Sequence, residues 1–230
     1  MYKTKNLQWN RETIQKSLKN VSKSLFAVVL IVFLLPSCGE RELEPNQMRD
    51  RVGNIYSTVT IGSQEWMAEN LNARFTNASN ISSMPNNERA VYSYPGGNEQ
   101  NVGRYGRLYT VQDARVLLPR EGGWRIPTLA DFERLMRTLD VNYADGASEV
   151  RTALGIDRFP GTNVSAGTMG ATFMLMLDEP ANVSNMDFLA IRFNSRDLPG
   201  EGLTQRNIYI RNITRGVAGS VRFVRDVQPD

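Results

Sequence analysis

The chain contains no histidine and a single cysteine, Cys38, among its 230 residues. Without histidine, Ser-His-Asp and Cys-His nucleophilic centres cannot form, and one cysteine cannot build the usual zinc site. Nor can an internal disulfide close, so any exported domain must rest on its hydrophobic core. No phosphate-binding P-loop and no Gly-x-Gly-x-x-Gly turn stands between a strand and a helix. Internal repeats, coiled-coil heptads and low-complexity tracts are absent as well. Lysine is confined to the start: none follows Lys23, and all 21 later bases are arginine. What remains, 41% hydrophobic and 22% charged, is the make-up of a folded domain of about 150 to 200 residues with accessory segments.

Long apolar runs are scarce, and the one at 25–35 has a clear setting. Lys3, Lys5, Arg11, Lys16, Lys19 and Lys23 precede it, and Pro36-Ser37-Cys38 ends it. It is too short for the ~20 residues of a spanning helix and suits the core of a signal peptide. Leu35-Pro36-Ser37-Cys38 resembles a bacterial lipobox, which implies cleavage before Cys38 and acylation of its sulfur. A plain secretory signal and an uncleaved anchor are the alternatives. Glu40, Glu42 and Glu44 then resemble the acidic surface-export signal of Bacteroidetes lipoproteins. The predicted division is a lipoprotein signal peptide at 1–37, a lipidated Cys38 with a flexible tether at 38–53, and a domain at 54–230. The expected location is the bacterial outer membrane, lipid-anchored and surface-exposed.

Charge supports that division. Removing residues 1–37 takes away six Lys or Arg and Glu12, leaving 21 bases against 23 acids, a net charge of −2. The excess of base belongs to the export signal and gives no argument for a nucleic-acid partner.

The densest cluster of local signals lies at 122–136, Gly-Gly-Trp-Arg-Ile-Pro-Thr-Leu-Ala-Asp-Phe-Glu-Arg-Leu-Met. Pro127 fixes its own φ and pushes Ile126 towards extended backbone, while Thr128 offers a hydroxyl to the first turn of a helix. Asp131 can close a capping box with Thr128, and Leu129, Phe132, Leu135, Met136 and Leu139 fall on one face. Trp124 and, upstream, Trp66 are expected as core anchors beside this helix.

The run 123–136 resembles the Gly-Trp-Arg-Leu-Pro-Thr pattern of the Fibrobacter succinogenes major paralogous domain family of bacterial surface lipoproteins. Ile-Gly-Ser-Gln-Glu-Trp-Met-Ala-Glu-Asn-Leu at 61–71, Tyr-Gly-Arg-Leu-Tyr at 105–109 and Ser-Val-Arg-Phe-Val-Arg-Asp at 220–226 follow the order of the family's other motifs. The resemblance covers about 55–227. It implies an α+β, C-type-lectin-like fold, related to that of the sulfatase-modifying factors, with antiparallel strands, two main helices and long loops. The family usually places cysteines where Leu118 and Phe223 stand here, so apolar contact is expected in place of a disulfide. The copper-binding cysteine pair of formylglycine-generating enzymes is missing.

Local patterns predict strands at 55–61 and 64–71, a short helix at 111–117 facing the core through Ala114, Leu117 and Leu118, and a helix at 148–154. Loops are predicted at 77–95 and 156–170. The late strands 171–177, 188–194, 207–213 and 220–226 come next, and the last three alternate apolar residues with Arg or Asn, as if one face were wet. Asp131 with Glu133, or Asp178 with Glu179, could be offered as acid/base pairs, but capping and solvated surface explain them better. No catalytic residue, metal site or cofactor is therefore expected. The expected function is non-catalytic binding of an extracellular glycan or protein, as in adhesion. A tip component of a fimbria-like assembly and a glycan-active or protein-modifying enzyme are the rivals. The predicted ligand face is Asn207, Tyr209 and Arg211, which share one side of a strand if Ile208 and Ile210 point inward.

Overall fold

A computed structural model describes residues 42–74, 92–156, 172–180, 187–194, 204–214 and 217–227, all but Glu42 within the unit Leu43–Asp230. Cys38 and the loop 157–170 lie outside these residues. Among them the architecture is α+β, with antiparallel sheets and few helices. Strands β1 (Gln47–Arg49), β2 (Ile55–Ile61), β3 (Gln64–Met67) and β9 (Val224–Asp226) form one four-stranded sheet in that order. The hairpin between β2 and β3 turns on Gly62, whose φ of 59° suits the first position of a two-residue loop. A Cβ there would also meet Thr138 Cγ2 at 2.8 Å.

Strands β4 (Tyr92–Ser93) and β5 (Leu108–Tyr109) pair as a short ribbon. Between them lies helix α1 (Val102–Tyr105), and after them α2 (Val111–Arg115). Helix α3 (Leu129–Thr138) begins where the sequence predicts. Thr128 accepts from the Asp131 amide, and the Asp131 side chain accepts from the Thr128 amide, so the capping box is complete. Helix α4 (Ala147–Ala153) follows, then β6 (Thr172–Pro180), β7 (Asp187–Asn194) and β8 (Ile208–Thr214), which form a second antiparallel sheet.

In the second sheet β6 and β7 are covered on both faces, whereas the edge strand β8 is exposed over Ile210–Asn212. Phe173, Leu175, Leu177, Ile191, Phe193 and Ile208 join α3 and α4 in one apolar cluster, where Phe132 meets Phe193 edge-on at 6.0 Å. Met174, Met176, Phe188, Ala190 and Ile213 join a second cluster with Met67, Leu71, Leu117 and Phe223. This corrects the expectation of one wet face for 188–194, because β7 is the central strand and has a layer on each side, and for 220–224, which is buried; for 207–213 an exposed stretch remains. Leu118 packs against the same cluster that holds Phe223, as apolar replacement of a disulfide requires.

Two further expectations need revision. The predicted tether 38–53 ends early, since β1 is already in the sheet at Gln47 and Met48 is only 1% exposed. A three-residue strand is too short to show alternation in sequence, and pairing with β2 supplies the order that propensity does not. The terminal segment is extended over 220–226, yet only its end is a continuous strand. Before that it moves between partners, Gly219 bridging Tyr109 and Ser220 bridging Leu175, and Val224 at the start of β9 also bridges Arg125.

Candidate functional site

Two polar junctions gather the sequence motifs. At the first, the Arg125 guanidinium forks onto Asp131, with Nη2 at 2.6 Å from Oδ1 and Nε at 3.1 Å from Oδ2. Asp226 accepts from Arg125 at 3.1 Å and from Arg134 at 2.6 Å. Asp131 is 3% exposed and also accepts from the Thr128 amide and from Gln64 Nε2. Burial opposes its charge, but the Arg125 guanidinium and the Thr128 N–H outweigh burial and hold the carboxyl below its ordinary range. The Trp-Arg-Ile-Pro-Thr run is thus a clasp between β3, α3 and β9.

At the second junction, Asn70 donates to the Tyr105 carbonyl at 3.0 Å and accepts from Arg222 Nε at 2.8 Å. Arg222 is fully buried, lies over the Phe173 ring at 5.4 Å and donates to the carbonyls of Ala68 and Leu154. Burial pushes its pKa down to about 9, against the opposing pull of the Glu69 charge.

Beside this junction opens a cleft of about 260 Å³, with Tyr56, Glu69, Asn70, Asn72, Gly103 and Arg104 in its walls. Tyr56 Oη donates to Asp50 Oδ2 at 2.8 Å and accepts from the Asn72 amide at 3.1 Å. Asp50 also accepts from the Val52 and Asn54 amides and from Asn54 Nδ2. Burial raises the Asp50 carboxyl, and burial with the Asp50 charge drives the Tyr56 phenol well above its ordinary range. Glu69, half-buried in the lining, accepts from the Ser57 amide through Oε1 at 2.8 Å. Gly106, with φ 73°, lets the walls meet, since a Cβ there would stand 2.7 Å from Asn70 Cβ and 3.0 Å from the Leu71 carbonyl.

The family model of the Fibrobacter succinogenes major domain matches residues 59–185, more than half of the chain. The chain belongs to this family. No curated protein and no solved structure matches. The match is shorter than the expected 55–227, yet in this Fibrobacter succinogenes major domain Arg222 and Asp226, which lie beyond it, complete both junctions.

The structure separates the predicted site residues. Trp66 is wholly buried, Pro127 is buried, and Thr128 caps α3. Trp124 is half-buried at the margin of the core: it packs against the cluster that holds Ile126 and Phe223, and its outer face stacks under Arg225 at 5.0 Å. Arg225 is held in turn by Glu65 across the β3–β9 pair, a non-local contact invisible in the local pattern. On β8, Ile208 is buried, but Ile210 is 40% exposed, because the edge strand extends past its cover. Tyr209 Oη accepts from the Thr204 amide at 2.6 Å, Asn207 Oδ1 accepts from the Thr204 hydroxyl, and Arg211 stacks on Tyr209 at 5.5 Å. These three residues therefore brace the entry to β8. The carboxylates once weighed for acid/base work are also engaged: Asp178 pairs with Arg115, and Glu179 accepts from the Leu129 amide at 2.8 Å. Sequence reasoning missed Glu69, Asn70 and Arg222. The signal was a Glu-Asn pair ending a strand motif, read only as part of that strand.

Proposed function

We propose that this protein is a cell-envelope lipoprotein, anchored through Cys38, whose C-type-lectin-like domain binds an extracellular ligand without transforming it. The lectin-like plan is supported by pairing of the early strand β3 with the late strand β9, by α3 and α4 on one face of the second sheet, and by that sheet's antiparallel order. Fold alone does not specify function. The observation that carries the binding reading is the contrast between the carboxylates and the cleft. Asp131, Asp178, Glu179 and Glu65 are committed to caps and ion pairs, whereas the cleft walls present amide, carboxylate and guanidinium groups around an open volume.

The test has two arms. Full-length protein expressed in a Bacteroidetes host should stay with carbonate-washed outer membrane, and Cys38→Ala protein should not, because several acyl chains anchor durably where none does. The domain 43–230, labelled and applied to a glycan array, should give saturable binding without release of reducing ends. Equal membrane retention of both proteins would refute the anchor, and turnover of array glycans would replace the binder with an enzyme.

A further inference from the structure

We propose that the cleft beside Asn70 is the ligand site, and that it takes one polyhydroxylated neutral ring, the size of a monosaccharide unit, with Glu69 as the principal acceptor of its hydroxyls. This assignment rests on the binding reading above and gives it a place and a chemistry.

Size sets the first limit. A volume of about 260 Å³ falls just below the ~300–1,000 Å³ of sites for drug-sized ligands, which matches one ring. The walls set the second. Asn72 is exposed at the rim, and its own backbone amide is fixed by Tyr56 Oη. Arg104 is exposed beside it and rests over the Tyr105 ring at 5.5 Å. Glu69 lines the cleft and accepts from the Ser57 amide through Oε1, a single bond that fixes the carboxylate and spares acceptor capacity for a ligand. Adjacent hydroxyls donate and accept at close spacing. A carboxylate accepts from one or two of them, while an amide and a guanidinium donate to their lone pairs. Val102 and Ile55 add apolar surface for the C–H face of a ring.

Rigidity favours the same conclusion. The floor is fixed by Asp50, whose carboxylate accepts four hydrogen bonds that hold the 50–54 turn and Tyr56. The far wall is fixed by Asn70, held between Arg222 and the Tyr105 carbonyl. Groups ordered before binding lose little freedom when a ligand arrives, which a small ligand with few contacts needs. The site differs from the predicted one on β8, where Asn207 and Tyr209 are occupied with Thr204.

The chain offers a clean way to close the cleft. Gly103 lines it, and a Cβ built there meets no atom within 4 Å. Gly103→Phe should therefore be accommodated by the fold and obstruct the cleft that residue 103 lines. Glu69→Gln keeps an oxygen for the Ser57 amide while removing the charge. Asn72→Ala removes a rim amide whose backbone bond persists.

Ligand-observed saturation-transfer NMR on the domain 43–230 would use the methyl glycosides of glucose, galactose, mannose and N-acetylglucosamine, with glycine and glutamate as zwitterionic and acidic controls. At least one glycoside should bind with saturable transfer. Its affinity should fall about tenfold or more in Glu69→Gln, as expected for loss of a charged hydrogen bond. Transfer should vanish in Gly103→Phe and be retained in Arg211→Ala, each measured well below its own melting temperature, since Glu69→Gln also removes the charge that opposes burial of Arg222. If a glycoside binds equally to parent, Glu69→Gln and Gly103→Phe, the cleft is not the site, although the protein still binds a ligand. Binding of glycine or glutamate in preference to every glycoside overturns the ligand class. Absence of transfer from all four glycosides, with array binding intact, overturns the single-ring assignment and leaves the general reading standing. Should Gly103→Phe unfold, the Glu69→Gln and Asn72→Ala affinities decide the matter alone.

Discussion

Asp131 allows the sharpest test of how the family motif holds the domain together. Replacing it with asparagine removes the negative partner of Arg125 and weakens the cap at the start of α3, while the backbone carbonyl of residue 131 still accepts from Gln64 at 3.2 Å. A lost cap costs ~1 kcal/mol. A lost charge-assisted hydrogen bond costs ~1.5–3 kcal/mol. Arg125 is one-third exposed and keeps Asp226 at 3.1 Å, which places the sum at the lower end, about 2 to 3 kcal/mol at pH 7. The effect should depend on pH in a fixed direction. Because the folded carboxyl titrates below its ordinary value of 3.8, its stabilisation is present above pH ~4 and is lost as pH falls through the lower folded value. Urea titrations of parent and Asp131→Asn at pH 7, 5, 4 and 3 should therefore show a gap that is constant down to about pH 4 and narrows below it. A gap under about 0.5 kcal/mol at pH 7, or one that widens in acid, would refute the clasp.

The two tryptophans should behave differently in the same assay: Trp66→Ala, which empties a wholly buried site, should cost about 3–5 kcal/mol. Trp124→Ala, which loses partial burial and the stack with Arg225, should cost about 1–2 kcal/mol, and equal losses would contradict the burial assigned to them. Gly106→Ala should destabilise by more than the ~1 kcal/mol of a strained φ alone, because its Cβ would also press on Asn70. A melting temperature within a degree of the parent's would show that the walls of the cleft are less closely set than described.

Local chemistry made α3, β2 and β3 legible in the sequence. Pro127, Thr128 and Asp131 act within one helical turn, and the alternation in 55–61 is strong enough to define a strand. Features set by distant partners were not legible. Met48 is ordered by pairing with β2, Trp124 is positioned by Arg225, and both faces of β7 are buried because separate layers arrive on each. The cleft belongs to this second group. Its walls come from three segments, and the bond that sets one of them, Arg222 to Asn70, spans 152 positions. No window of sequence contains such a bond, and even with both residues quoted in motifs, nothing in their spacing assigns them to each other.

The wandering course of the terminal segment has a consequence in time. Residues 219–226 supply partners to Tyr109, Leu175, Leu71, Met67 and Arg125, so five earlier parts of the chain wait for a segment synthesised after all of them. Closing loops of this length is slow, because chain entropy is lost before the contacts repay it. The hairpin of β2 and β3 can form early, but the edge that receives β9 stays open, with Trp66 and Leu71 unsealed, until residue 226 is available. Until that segment has been synthesised, Asn70 lacks Arg222 and both Arg125 and Arg134 lack Asp226, so each polar junction is completed only when residues 219–226 arrive.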